Sequence, residues 1–286
     1  MNNKFKNYLS LIKFSHTIFA LPFAIIGFSL ATANFEFDLI TLVMIILCMV
    51  FARSSAMAFN RYIDREIDLK NPRTANVREI PSGKISPKNA LLFVIINVIL
   101  FITTTYFINN LCFALSPIAL LVILGYSYTK RFTSFCHLVL GVGLGLAPIG
   151  AYLAVANEFN WIPVLIGVSV MFWVAGFDII YALQDDDFDK ENKLNSIPVL
   201  LGRKNALLFS RTLHFFTAIS LFIVGYFGSF EIYYWIAFVL FSALLYYQHQ
   251  IIKHNDLSKV GMAFFTTNGI ASIIFGIFVV FDILLK

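Results

Sequence analysis

Charge is what this sequence has least of. Only 13% of its 286 residues are Asp, Glu, Lys or Arg, about half of the roughly 25% usual in a water-soluble domain, and 59% are hydrophobic. A soluble fold has nowhere to hide that much apolar surface, so that class is excluded. Cysteine is scarce as well. The three thiols, Cys48, Cys112 and Cys136, sit in or beside apolar stretches at unrelated spacings, which excludes a disulfide framework and a cysteine-built zinc cluster. No ten-residue alternation of apolar and polar side chains recurs, so nothing points to a membrane β-barrel. Low-complexity segments and polar stretches long enough for a soluble domain are missing too. The net charge of +5 suggests nucleic acid at first sight. Its basic residues, however, gather in short loops between apolar runs, where orientation in a bilayer accounts for them and no nucleic acid is needed.

What the chain does have is a series of apolar runs near 20 residues, the length an α-helix needs to cross about 30 Å of hydrocarbon. Segments that span lipid must satisfy their backbone internally, which selects helices. The runs predict nine of them, near 14–33, 38–60, 89–107, 111–128, 135–155, 161–183, 205–226, 231–250 and 261–284. The N-terminal run lacks a small-residue cleavage site and reads as a retained first helix. Positive charge provides an independent check. Of the 21 Lys and Arg, all but Arg53 and Lys286 fall in the N-terminal segment or in the loops after spans two, four, six and eight, with Arg211 counted in the loop after span six. That alternation predicts an all-α membrane bundle with its N-terminus cytoplasmic and its C-terminus outside. It reads as a single polytopic domain over residues 1–286, capped by long cytoplasmic loops at about 61–88 and 184–204. The stretch GVGLGLAPIG at 141–150 predicts a close-packed or bent part of span five.

Those two loops hold most of the acids. After span two stand Asn60, Asp64 and Asp68, four residues apart and so on one helical face, with Arg53 seven residues earlier on the same face. After span six stand Asp178, Asp185 and Asp189, offset by seven and four and again on one stripe, while Asp187 points nearly the other way. Acids just beyond a membrane helix are most often a solvated cap. Two clusters on one side, each reaching back into a span through Asn60, Arg53 or Asp178, argue against that reading. Converging carboxylates repel one another near hydrocarbon, so a cation should sit between them. Hard oxygen donors select Mg²⁺, which keeps waters and binds through a few carboxylates plus substrate phosphates. A diphosphate is therefore the expected substrate. Arg73, Arg78, Lys130, Arg131, Lys190 and Arg203 are available in the adjacent loops to pair with it, although orientation alone would also place basic residues there. His16, His137 and His214 read as packing or interfacial residues, and most of the 32 Phe and 12 Tyr as lipid-facing or core.

These residues resemble the UbiA superfamily of intramembrane prenyltransferases, which carries N-D-x-x-D-x-x-x-D after the second helix and D-x-x-x-D after the sixth. The likeness covers nearly the whole chain. It includes Arg53, Asn60-x-x-x-Asp64-x-x-x-Asp68, Arg73-Thr74-Ala75-Asn76 with Pro81-Ser82-Gly83, Lys130-Arg131, and Tyr181-Ala182 leading into Asp185 and Asp189. Within the superfamily, the Arg-Thr-Ala-Asn stretch looks most like the 4-hydroxybenzoate polyprenyltransferases of quinone biosynthesis. Arg61 replaces the family's Asp, but lies ~100° off the acidic stripe and need not face a metal. Val77 lengthens the next motif by one residue. The Asn60-Arg61 start and the Lys13-Phe-Ser-His-Thr-Ile-Phe-Ala-Leu-Pro opening also resemble enzymes that prenylate 1,4-dihydroxy-6-naphthoate on the futalosine route to menaquinone.

The resemblance implies a nine-helix bundle around a central cavity in the bacterial inner membrane, with its active site on the cytoplasmic side. It implies polyprenyl diphosphate and a small aromatic acid as substrates, with no obligate protein partner. Two Mg²⁺ are expected, one on Asn60, Asp64 and Asp68, the other on Asp185 and Asp189. Arg73, Arg78, Lys130, Arg131 and Lys190 would bind diphosphate. Asp178 or Asp185 would take a proton, and Arg53 or Lys130 would pair with the acceptor carboxylate. Two readings of another class compete: a secondary transporter with midplane ion sites, and a non-catalytic scaffold in which Arg61 blocks the metal.

Overall fold

A computed structural model describes residues 3–13 and 19–286 of the chain. Among the described residues the regular secondary structure is all helical, apart from an isolated bridge between Lys253 and Asp256. The helices are α1 (Asn3–Leu11), α2 (Leu21–Thr32), α3 (Leu39–Ile63), α4 (Arg65–Lys70), α5 (Pro87–Ile108), α6 (Asn110–Thr129), α7 (Cys136–Ala156), α8 (Trp161–Ala182), α9 (Asp186–Glu191), α10 (Ile197–Phe227), α11 (Ile232–Ile251) and α12 (Asn268–Leu284), the last entered through a π-helical turn at Met262–Thr267. Seven segments are long and apolar enough to cross a membrane: α3, α5, α6, α7, α8, α10 and the run Met262–Leu284. The chain is a membrane protein. Helix α2 is apolar but only 12 residues long, and α11 has 20 residues. Residues 14–18, where the first expected span starts and where His16 falls, lie outside the described residues.

Polar residues between the apolar runs start the helices by accepting from otherwise unpaired backbone N–H groups. Asp38 accepts from Ile40 and Thr41, both at 3.0 Å, and opens α3. Ser86 and Pro87 open α5. Asn109 accepts from the Cys112 N–H at 2.8 Å to open α6, and its amide donates to the Leu153 carbonyl at 2.9 Å, tying α6 to the end of α7. Asn160 opens α8 in the same way. The largest departure from expectation is α10, which begins at residue 197 rather than near 205. Ser196 and Pro198 supply a start signal there, and Gly202 interrupts the helix with φ of 73°, a conformation nearly free of penalty only for glycine. The loop expected at 184–204 thus contains α9 and the first two turns of α10.

The expectation of close packing at 141–150 is met. A Cβ added to Gly145 would lie 2.5 Å from the Gly167 carbonyl oxygen, so α7 and α8 approach backbone to backbone. Around that contact lies an aromatic core of Phe23, Trp173, Phe177, Tyr234, Phe241 and Phe275. Its polar atoms are matched: the Trp173 indole donates to Asn268 Oδ1 at 2.9 Å. Buried Asp282 accepts from the backbone N–H groups of Glu231 and Tyr234 at 2.8 and 3.0 Å, which starts α11.

Candidate active site

The two acidic clusters stand where α3 and α8 end. The sequence suggests that α3 runs on through Asp68, but the backbone jogs at Asp64 (φ −89°, ψ 4°) before α4 begins. The ladder survives the jog: the Asp64 N–H donates to the Asn60 carbonyl at 2.9 Å and the Asp68 N–H to the Asp64 carbonyl at 2.7 Å. Helical spacing therefore persists, and Asn60, Asp64 and Asp68 stay on one face. At the other end, the Asp189 N–H donates to the Asp185 carbonyl at 2.7 Å, which continues the α8 stripe into α9.

Cations from two loops, those after α4 and α6, lie on these acids. Asp64, 1% exposed, is paired with Lys130 Nζ at 2.7 Å and Arg131 Nη2 at 2.9 Å, and accepts from the Asn60 amide at 3.2 Å. Asp68, 3% exposed, pairs with Arg78. Arg73 grips Asp185 with two guanidinium nitrogens, Nε at 2.8 Å, and donates from Nη1 to the Tyr181 hydroxyl at 3.1 Å while lying over that ring. Asn71 donates to Asp185 Oδ1 at 3.0 Å. Since Asn71 and Arg73 follow α4, the second-helix cluster reaches across to the end of α8, and both clusters belong to one site.

The electrostatics follow from those contacts. Burial works against ionising Asp185, but hydrogen bonds from Arg73 and Asn71 outweigh it and hold the carboxyl below its usual range. Burial likewise opposes the Arg73 charge, and the bonds to Asp185 and Tyr181 reverse that, raising its pKa above the ordinary arginine value. Asp189 differs. Burial pushes it up to about 6; Lys130 pulls against this, and the neighbouring Asp185 and Asp64 charges add to it. It makes no ion pair among the described residues.

Not every expected residue is gathered in. Arg203 pairs instead with Asp186 at 2.6 Å and with the exposed Asp187 at 2.9 Å, tying α9 to α10. Lys190 is exposed and unpaired among the described residues. Arg53 lies in α3 with its Nε buried and without a partner. Arg61 is not turned away from the site: it is 9% exposed and donates from Nη1 to Asn60 Oδ1 at 3.1 Å, engaging the side-chain oxygen of the first motif's asparagine.

Sequence reasoning missed two groups. His137, read as packing, bonds through Nδ1 to Asp178 Oδ2 at 2.7 Å, and the Ile197 N–H donates to its Nε2 at 3.4 Å. That arrangement places the imidazole proton on Nδ1, toward Asp178. Glu79, 3% exposed, accepts from Ser10 and keeps Oε2 without a partner. Neither had a signal in the sequence, because the partners lie 41 and 69 residues apart, on two different helices for His137 and on a loop and a helix for Glu79.

The donor set fits a hard divalent cation. Asp68 Oδ2 is buried without a hydrogen-bond partner, and Asp189 is a half-buried carboxyl that makes no ion pair among the described residues. Among the described residues, no three His, Cys, Asp or Glu side chains converge to enclose a metal unaided. Mg²⁺ does not need that, since it retains waters and takes substrate oxygens.

A helical membrane bundle with amides, carboxylates and guanidinium groups converging at the ends of two long helices defines a class, the polytopic transferases that work on anionic substrates at a membrane surface. More narrowly, the chain belongs to the UbiA prenyltransferase family, which matches residues 20–270, and it is a prenyltransferase. It is 31% identical over 239 residues to the 4-hydroxybenzoate octaprenyltransferase of Photobacterium profundum, with 82% of this chain and 81% of that one covered. The apo structure of a UbiA homolog from Aeropyrum pernix K1 superposes with a TM-score of 0.85 at 30% identity, covering 93% and 98% of the two chains. A UbiA homolog from Archaeoglobus fulgidus bound to GPP and Mg²⁺ shares the fold, with a TM-score of 0.71 at 23% identity over 98% and 100%.

Proposed function

We propose that this enzyme moves a polyprenyl group from a Mg²⁺-bound polyprenyl diphosphate to a ring carbon of a small aromatic acid of the 4-hydroxybenzoate type, acting as one polytopic domain in a bacterial inner membrane with its site on the cytoplasmic side. The observation that carries this reading is the single site formed by Asp64, Asp68, Asp185 and their cations. The names of the hydroxybenzoate relatives and of the GPP- and Mg²⁺-bound homolog support the choice of substrates.

Asn60, Asp64 and Asp68 would hold one Mg²⁺ and Asp185 and Asp189 a second. When bound, these ions supply charge neutralisation for the departing diphosphate as the allylic C–O bond breaks. Arg73, Arg78, Lys130 and Arg131 are each paired with one of these carboxylates, so a diphosphate bound there would find guanidinium and ammonium donors beside it. Asp178 is oriented by His137 through one oxygen, and its other oxygen would accept the proton of the acceptor's phenol or ring carbon. The apolar core beneath excludes water that would otherwise capture an allylic cation. Arg53, whose buried Nε has no partner, or Lys130 would receive the acceptor carboxylate.

The test is turnover in membranes supplied with polyprenyl diphosphate, Mg²⁺ and a mixture of 4-hydroxybenzoate and 1,4-dihydroxy-6-naphthoate, with products identified by mass. Wild type should prenylate hydroxybenzoate, and Asp64→Asn and Asp185→Asn should each lower the rate by about 10²–10³-fold, the range for losing one preorganised electrostatic group. Full activity in both variants would remove the metal assignment. A product formed only from the naphthoate would select the competing acceptor, for which Arg61 against Asn60 is the distinguishing feature.

A further inference from the structure

A second cluster of cations lies outside the acidic site. Lys204, Asn205, Leu207, Leu208 and Arg211 on α10 face Ile252, Lys253, His254 and Asn255 at the end of α11, around a groove of about 450 Å³. Helices α10 and α11 are joined by a four-residue turn, so they run antiparallel and the end of α11 lies beside the start of α10. The groove therefore opens at the same end of the bundle as the α9–α10 connection.

Its chemistry is one-sided. Lys204, Arg211, Lys253 and His254 are exposed and make no ion pair among the described residues. One acid, Asp256, stands beside Lys253: it is bridged to it through the backbone, its carboxylate is engaged by the Ser258 N–H at 3.0 Å, and Lys259 and Lys253 add to holding it ionised. Arg211 stands seven residues deeper along α10 than Lys204, about 10 Å at 1.5 Å per residue. At that depth it draws on the α11 terminus, with Nη2 reaching the His249 carbonyl at 3.5 Å. Beneath the cations the wall is apolar, with Leu207 and Ile252 buried and Leu208 exposed along the bundle's outer face. The positive-inside tendency accounts for cations in a loop. It does not account for Lys204 and Arg211 on a helix facing Lys253 and His254 of the loop after α11 across a groove with a hydrocarbon floor, which is the form of an anionic headgroup site.

We propose that this groove binds a phosphate-bearing anion, supplied by an anionic phospholipid. Lys204, Arg211 and Lys253 take the phosphate oxygens, Asn205 and His254 take the glycerol end, and the acyl chains lie along Leu208. Binding there clamps α10 to α11, and α10 also carries Arg203, which holds α9 beside the acidic site.

The experiment uses the full chain in detergent, with lipid retention read by native mass spectrometry and unfolding read by melting temperature. Its arms are phosphatidylglycerol, phosphatidylcholine and inorganic phosphate. Wild type should retain phosphatidylglycerol over phosphatidylcholine and melt higher with it. The triple variant K204Q/R211Q/K253Q should lose roughly fivefold in retention per cation removed, about a hundredfold in all. If the triple variant fails to fold, Lys253→Glu alone, on the exposed loop, should show a smaller loss in the same direction, and Lys259→Gln, outside the groove, should show none. Equal retention of both lipids, or equal phosphatidylglycerol retention by wild type and variant, overturns the site. Stabilisation by inorganic phosphate that phosphatidylglycerol does not displace overturns the lipid source.

Discussion

Burial around Asp189 pushes its carboxyl up to about 6, and the consequence for stability has a definite sign. Because the folded pKa lies above the unfolded one, the folded state favours the neutral acid. That contribution is fully present below pH 4 and is lost as pH rises through about 6. With metal chelated at pH 7.5, the Asp189 charge therefore works against folding. Asp189→Asn should melt higher than wild type at pH 7.5, and the gap should narrow steadily toward pH 5; a gap that is missing or independent of pH would contradict the argument. His137 gives a kinetic prediction. His137→Phe removes the group that orients Asp178 and should lower kcat by about 10²-fold, the low end for general-base catalysis. KM for the diphosphate should hold steady, the acidic limb of the pH–rate profile should move, and His137→Asn, which keeps a donor, should recover part of the rate. The two residues were not equally legible. Asp189 belongs to a four-residue spacing on one helix face, which any sequence displays. His137 works through a carboxylate on another helix, a relation fixed only by packing.

At the scale of elements, the helices were legible because each apolar run ends in residues that start or stop a helix for chemical reasons: Asp38, Ser86, Asn109, Asn160 and Ser196 all accept from the first turn that follows them. The boundary that moved, at α10, did so because Arg203 and Lys204 split a short apolar run, Ile197 to Leu201, from the longer one beyond, while the start signal lies at Ser196 and Gly202 interrupts the helix with its positive φ. The jog at Asp64 was hidden for the opposite reason, since the backbone bonds continue across it. Close packing of α7 on α8 offers a paired test. Gly145→Ala places a methyl group 2.5 Å from a backbone oxygen that cannot swing aside, and should cost about 1–3 kcal/mol as overpacking does. Gly150→Ala, in the same helix with nothing within 4 Å of its Cβ, should instead stabilise by about 0.5–1 kcal/mol through the lower entropy of the unfolded chain. Reversible unfolding in mixed micelles measures both, and similar losses in the two variants would mean that helix flexibility, not backbone contact, sets the demand for glycine.

For the whole molecule, the charge pattern and the site make one joint demand. All but two of the 21 Lys and Arg belong to the N-terminal segment or to alternate loops, and the cations on Asp64, Asp68 and Asp185 come from the loops after α4 and α6. Four of the residues expected to set orientation are thus the residues paired with the acids, so the expected topology and the proposed chemistry would share one side of the membrane. Seven segments meet the length and hydropathy of a span; α2 and α11 bring the total to nine only if both also cross. With nine crossings the termini lie on opposite faces, and with an even number they share one. A C-terminal fusion to alkaline phosphatase should then be active, the same fusion to a fluorescent protein folded only in the cytoplasm should be dark, and an impermeant maleimide should reach a cysteine at Asn157 or Ser229 but not one at Lys84 in intact cells. A fluorescent C-terminal fusion with labelling at Lys84 would reverse the orientation and place the acidic site outside, away from a cytoplasmic supply of isoprenyl diphosphate.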